Sequence, residues 1–204
     1  NKEDALIIYT PAIPNDSPQL NYFKDNGYAL YKRSEILGMI TQTNYNIAVA
    51  GTHGKTTISS MVAHCLKYCK CPLTAFLGGV SKNLGSNYYH DNDSKVTVIE
   101  ADEYDRSFLQ LSPNIISVSA ADADHLDIYG TEEEMQNTFR KFLTENLQKN
   151  GSAIIEKTLE GVLGNDFETY SLQDSSADYF VTNLRVEGSV FTADFNWVNN
   201  GNIK

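Results

Sequence analysis

The stretch Ala48-Val49-Ala50-Gly51-Thr52-His53-Gly54-Lys55-Thr56-Thr57 decides how the rest of the chain is read. Before it, Tyr45 to Ala50 is a short apolar run, predicted to be a buried strand. After it, Ile58, Met61, Val62, Cys65 and Leu66 recur at helical spacing. Strand, glycine turn, Lys-Thr and helix make the layout of a phosphate-binding loop. Glycine lets backbone N–H groups approach phosphate oxygens, and a helix N-terminus offers unpaired donors and partial positive charge. Lys55 brings a full charge, and the Thr56 hydroxyl is a ligand type suited to a phosphate-bound magnesium ion. The long form of the motif requires glycine at position 49, where Val49 stands, so the loop is the shorter G-x-x-G-K-T. An ordinary glycine turn is the bland alternative; the flanking strand and helix argue against it.

The 204 residues suffice for one core, or for one domain with part of another. With 16 basic against 26 acidic residues the formal net charge is −10, which disfavours general nucleic-acid binding. No apolar run is long enough to span a bilayer, so no membrane insertion is expected. Cys65, Cys69 and Cys71 beside His64 raise the question of zinc. Their C-x3-C-x-C spacing lacks a distant second ligand pair, and Cys65 and Cys69 are expected to be small buried thiols on the helix. Reduced thiols fit a cytoplasmic protein.

Residues 1–43 read as a short strand at Ala5 to Tyr9, a proline-rich loop and a helix from Gln19 to Asn26 closed by Gly27. A brief strand at Leu30-Tyr31 and a helix from Glu35 capped by Ser34 follow. This piece is too small to stand alone and is expected to be the end of a Rossmann-like α/β domain that begins upstream. Residues 44–204 are expected to form a second, central α/β domain, incomplete at its C-terminal end. Its candidate strands, Asn46–Ala50, Leu73–Phe76, Val96–Glu100 and Ile115–Ser119, suit a mainly parallel sheet covered on both faces. Gly78 to Asn87 is expected to be a polar, mobile loop. Thr131 and Glu134 predict a capping box, opening a helix with Met135, Phe139, Phe142, Leu143 and Leu147 on one face. Ser152 to Glu156 is a further strand. Tyr179–Asn183 and Ser189–Val198 predict a small β-rich tail, with Asn199-Asn200-Gly201-Asn202 as a hairpin turn.

Two acidic clusters follow consecutive strands: Glu100-Ala101-Asp102-Glu103-Tyr104-Asp105 and Asp122-Ala123-Asp124-His125-Leu126-Asp127. In an open α/β sheet, ligands bind beyond the carboxyl ends of the strands. Glu100 is thereby expected beside the loop, able to hold Mg²⁺, and His125 is suited to a metal or to poising a nucleophile. Either cluster alone reads as a solvated loop; both downstream of a phosphate loop read as a site.

Together, Gly51-Thr52-His53-Gly54-Lys55-Thr56-Thr57, Glu100-Ala101-Asp102-Glu103 and Asp124-His125-Leu126-Asp127 resemble the Mur ligase family of bacterial cell-wall synthesis. His53 within the loop resembles the branches that act on UDP-N-acetylmuramate, joining L-alanine to it or, alternatively, recycling a muropeptide. The residues Asp124 to Gly130 are more similar to the L-alanine branch, and Ala5 to Ile13 are similar to the end of its UDP-sugar domain. The resemblance implies an ATP-dependent amide ligation through an acyl phosphate. It implies nucleotide binding by Gly51, Thr52, His53, Gly54, Lys55, Thr56 and Thr57. Lys55, Glu100 and His125 would be catalytic, with Thr56 and Glu100 on one Mg²⁺ and His125 on a second. Ala120 stands where relatives usually carry Asn. Arg140 and Lys141 are the nearest residues to the carbamylated lysine of some relatives, and no such lysine is assigned. The 204 residues alone are expected not to catalyse ligation. A GTPase-type switch lacks its Asn-Lys-x-Asp signature here, and a non-catalytic nucleotide-binding piece stays open.

Overall fold

The strand that precedes the glycine turn, β3 (Tyr45–Ala50), lies at the middle of the main sheet, and every other element is placed by its distance from it. The computed structural model describes residues 2–199, 202 and 203. Before β3 come β1 (Ile7–Tyr9), α1 (Pro18–Asp25), β2 (Leu30–Lys32) and α2 (Arg33–Thr41). After it come α3 (Lys55–Tyr68), β4 (Leu73–Ser81), β5 (Ser86–His90), β6 (Val96–Glu100) and β7 (Ile115–Val118). The chain continues through α4 (Leu126–Tyr129), α5 (Glu132–Lys141), β8 (Ser152–Glu156), α6 (Glu160–Leu163) and β9 (Glu168–Ser171). It ends in β10 (Tyr179–Glu187), β11 (Val190–Asn199) and β12 (Asn202–Ile203).

β1 and β2 pair in parallel as a separate two-stranded sheet. The main sheet runs β12-β11-β10-β9-β8-β7-β3-β6-β4-β5. From β10 through β4 every pairing is parallel, and antiparallel strands close both edges. β3 pairs with β6 on one side and β7 on the other, with Val49 opposite Glu100 and Ala50 opposite Val118. Those two neighbours deliver both acidic clusters to the carboxyl edge beside the glycine turn, at the point where strand order reverses.

Both faces of the sheet are covered. On one, Ile99, Ile116, Val118 and Ile155 pack with the α5 side chains Met135 and Phe139. On the other, Leu73, Ala75, Leu77 and Val98 pack with Ala63 of α3. Phe108 joins the first layer, its ring 4.6 Å from that of Phe142 and 5.3 Å from that of Phe139. Of the apolar face expected after Thr131, Met135, Phe139, Phe142 and Leu143 are buried, with α5 passing into a π-helical turn over Phe142–Asn146; Leu147 lies beyond that turn in extended backbone and is half-buried. Thr131 Oγ1 accepts from the Glu134 N–H at 3.2 Å, the N-cap half of the expected box.

Several expectations need correction. The segment read as a mobile loop over 78–87 is the turn of an antiparallel hairpin, because β4 extends to Ser81 and pairs with β5. Gly78 and Gly79 sit inside a strand, where close approach of another side chain replaces a packed one. Ser34 does not cap α2: the helix begins at Arg33 rather than Glu35, and the Glu35 carboxylate accepts from the Lys32 N–H at 2.6 Å. α3 buries Ser59 and Ala63 rather than Met61 and Cys65, which are exposed, as is Cys69. Small residues face the sheet there because helix and strands approach closely next to the loop. Residues 157–178 carry no clear sequence signal, yet they contain α6 and β9, which carry the parallel sheet across to β10. Of the tail strands, β10 runs past the expected Asn183 to Glu187, β11 is shifted by one residue from its expected span, and both extend the main sheet. The centre of the expected hairpin turn, Asn200-Gly201, lies outside the described residues, while β11 and β12 on either side of it pair antiparallel.

Candidate active site

The loop from Gly51 to Gly54 leaves β3 under tight backbone control. Gly51 has φ of +126°, and a Cβ there would meet Ser119 Oγ at 2.5 Å and Ala120 N at 2.9 Å. Only glycine fits so close to the end of β7 in that conformation. The Thr52 N–H donates to the Ala120 carbonyl at 3.0 Å, and the Asp122 N–H donates to Thr52 Oγ1 at 3.3 Å. Position 120 thus supports the loop through its backbone, which Ala supplies as well as Asn would. His53 is exposed, with Nε2 3.9 Å from Asp122 Oδ2. Thr57, in the first turn of α3, is exposed too.

Two carboxylates approach the loop from β6 and its continuation. Thr56 Oγ1 donates to Glu100 Oε1 at 2.8 Å, and the Gly78 N–H donates to Glu100 Oε2 at 2.6 Å. The expected Thr56–Glu100 pair is therefore assembled, with a third member, Gly78, that the sequence reading assigned to a loop. A hydroxyl oxygen and a carboxylate at hydrogen-bond distance are the hard oxygen donors a magnesium ion takes.

Glu103 is a candidate site residue that the sequence alone does not single out. In the sequence it stands as one acid among several in the first cluster. Its side chain is fully buried, and Lys55 Nζ donates to Glu103 Oε1 at 2.8 Å and to the Gly51 carbonyl at 2.8 Å. Glu103 Oε2 is buried with no hydrogen-bond partner among the described residues. The Tyr129 hydroxyl donates to the Glu103 carbonyl at 2.6 Å, and burial, then the Glu103 charge, push that phenol up to about 12. The available signal is a second glutamate three residues past Glu100, beyond the end of β6; the surrounding acids disguise it as part of a solvated run.

His125 joins this second group. Its backbone is left-handed, φ 49° and ψ 40°, at the N-cap of α4, and its N–H is tied to Asp124 Oδ1 at 2.8 Å. The imidazole Nε2 lies 3.7 Å from Glu103 Oε1 and 3.7 Å from Asp124 Oδ2. Glu103, Asp124 and His125 each offer a ligand atom within 4.8 Å of the others, a set suited to a divalent cation. Asp105 and Arg106 also have positive φ, 53° and 54°, strain concentrated in the segment that aims this cluster. Arg140 and Lys141 are turned elsewhere: Arg140 Nε donates to the Val162 carbonyl at 2.7 Å, and Lys141 pairs with Glu145 at 3.7 Å. A cavity of about 130 Å³ opens beside Glu100, lined by Thr10, Arg33 and Leu37 on one side and by Asp102, Tyr104 and Phe108 on the other.

The family model of the Mur ligase middle domain matches residues 49–204. UDP-N-acetylmuramate–L-alanine ligase of Phocaeicola vulgatus is 44% identical over 190 residues, covering 92% of this chain and 41% of that relative. The enzyme of the same name from Cytophaga hutchinsonii is 42% identical over 211 residues, covering 100% of this chain and 45% of the relative. The chain thus spans less than half the length of these curated relatives. Among solved structures, UDP-N-acetylmuramate–alanine ligase from Thermotoga maritima superposes with a TM-score of 0.76 at 25% identity, over 97% of this chain and 46% of the other. The tripeptide ligase from Neisseria meningitides gives the same TM-score at 22% identity, over 96% of this chain and 65% of the other, a likeness of fold. With a glycine loop, two strand-end acidic clusters and these matches in agreement, the chain belongs to the Mur ligase family.

Proposed function

We propose that the protein carrying this chain is an ATP-dependent ligase that joins L-alanine to UDP-N-acetylmuramate in peptidoglycan precursor synthesis, in the bacterial cytoplasm. The observation that carries the reading is the convergence of Lys55, Thr56, Glu100, Glu103 and His125 at one sheet edge. The relatives of 42–44% identity supply the choice of substrates. In this reading residues 1–43 end the UDP-sugar domain and residues 44–204 belong to the central ATP-binding domain.

The chemistry asked of such a site is positioning and charge neutralisation. An oxygen of the muramyl carboxylate attacks the γ-phosphorus of ATP, and the bond to the β-bridging oxygen breaks, releasing ADP. The alanine amine then adds to the acyl carbon, and the tetrahedral intermediate expels inorganic phosphate as the nitrogen loses a proton. Gly51 to Thr57 hold the phosphates by backbone N–H groups, with Lys55 balancing charge at the β- and γ-oxygens. Thr56 with Glu100, and His125 in the second cluster, are the residues that would hold Mg²⁺. Magnesium, when bound, neutralises the transferring phosphoryl group. The cavity beside Glu100 gives the carboxylate substrate a route to that edge.

The test is phosphate release by the full-length protein with ATP, Mg²⁺ and UDP-N-acetylmuramate. Release dependent on L-alanine supports the proposal. The likeness to tripeptide ligases favours one rival, and release dependent on the tripeptide but not on L-alanine would establish it instead.

A further inference from the structure

Lys55 and Glu103 hold each other in a way that cannot survive the arrival of a nucleotide unchanged. An ammonium has three N–H donors. Lys55 spends one on the Gly51 carbonyl and one on Glu103 Oε1, which leaves one. Bridging the β- and γ-oxygens of ATP takes two. Glu103, for its part, is fully buried, has Lys55 as its hydrogen-bonding cation, and has an Oε2 with no partner among the described residues. A buried carboxylate whose cation turns to another anion is strongly destabilised unless a second cation replaces it. Beside it stand the Asp124 carboxylate and the His125 imidazole, all three ligand atoms within 4.8 Å of one another.

We infer that Glu103 is a charge-transfer point between nucleotide and metal: it neutralises Lys55 in the nucleotide-free loop, then passes to a divalent cation shared with Asp124 and His125 once Lys55 engages phosphate. This deepens the proposed function, since it takes the loop to be a nucleotide site. Its consequence is a linkage. Nucleotide binding frees Glu103 and so tightens the cation site, and by reciprocity the cation draws Lys55 toward the phosphates. A purely structural Glu103, fixed to Lys55 in every state, produces no such coupling.

The linkage is measurable without turnover. Mn²⁺ binding to the full-length protein, free of nucleotide, is followed by electron paramagnetic resonance in a mutant cycle. Lys55→Ala imitates the departure of lysine and is expected to tighten Mn²⁺ binding by at least about tenfold. That gain is expected to vanish in the Glu103→Gln and His125→Ala backgrounds. No tightening, or equal tightening in the Glu103→Gln background, overturns the inference, because loss of a nearby positive charge would then explain everything. Should Lys55→Ala fail to fold, the unsubstituted protein with a non-hydrolysable ATP analogue is compared with Glu103→Gln. A second Mn²⁺ bound by the unsubstituted protein only when the analogue is present, and by Glu103→Gln in neither state, upholds the linkage; a count that does not change with the analogue, or that is equal in the two proteins, overturns it. Neither arm uses UDP-N-acetylmuramate or L-alanine, so ligation and linkage can fail separately.

Discussion

Thr56 Oγ1 donates a 2.8 Å hydrogen bond to Glu100 Oε1 across a sequence separation of 44 residues, joining the first turn of α3 to the end of β6. The bond exists because β3 and β6 are parallel neighbours in register, Val49 opposite Glu100. Their carboxyl ends therefore finish at the same height, and the loop leaving one meets the side chain ending the other.

Glu100→Gln keeps the shape of this pair but removes its charge. We expect the Mg²⁺ concentration for half-maximal ligation to rise about tenfold or more, with fold and melting temperature little changed. A magnesium titration of the full-length enzyme checks this. An unchanged titration removes Glu100 from the metal site.

Gly78→Ala tests the same carboxylate from its other side. The Gly78 N–H donates to Glu100 Oε2 at 2.6 Å, and a Cβ at that position would collide with the Glu100 carboxyl group. The end of a side chain yields more easily than backbone, so the expected result is a displaced Glu100 in a folded protein. The variant should reproduce the raised magnesium requirement of Glu100→Gln. Normal magnesium dependence in Gly78→Ala would show that the contact has no bearing on the site.

Lys55→Ala should lower kcat of the full-length enzyme by about 100-fold or more, because developing phosphate charge loses a preorganised cation. Steady-state release of phosphate measures it. Near-normal turnover contradicts the assignment of the loop.

Tyr129 gives a pH dependence with a definite sign. Burial, and then the Glu103 charge, raise the folded phenol from 10.0 to about 12. The folded state thus favours the protonated form, and the unfolded chain releases that proton first. The stabilisation is fully present below pH 10 and is lost as pH rises from about 10 to about 12, by no more than about 2–3 kcal/mol. Tyr129→Phe should cost about 1 kcal/mol at pH 9, through the lost bond to the Glu103 carbonyl, and should flatten the decline above pH 10. Urea denaturation of both proteins at pH 9 and pH 11 reads the difference. Equal declines would place the titration elsewhere.

The α/β class, the glycine turn with Lys55 and Thr56, and the placement of Glu100 and His125 at strand ends were all determined by local sequence. Apolar runs, helical spacing and glycine position are properties of neighbouring residues, so they can be read before folding. The hairpin of β4 and β5, the burial of Ser59 and Ala63 rather than Met61, and the role of Glu103 were decided by tertiary structure alone. Each depends on a partner distant in sequence: β5 on the open edge of β4, Ala63 on the β4 residues beneath it, Glu103 on Lys55 48 residues earlier. Asp102, Glu103 and Asp105 look alike in sequence as acids of one cluster. Only the closure of the sheet edge buries the second of them completely and sets it against the lysine of the loop, because burial is a property of what packs above a residue and not of its neighbours in the chain.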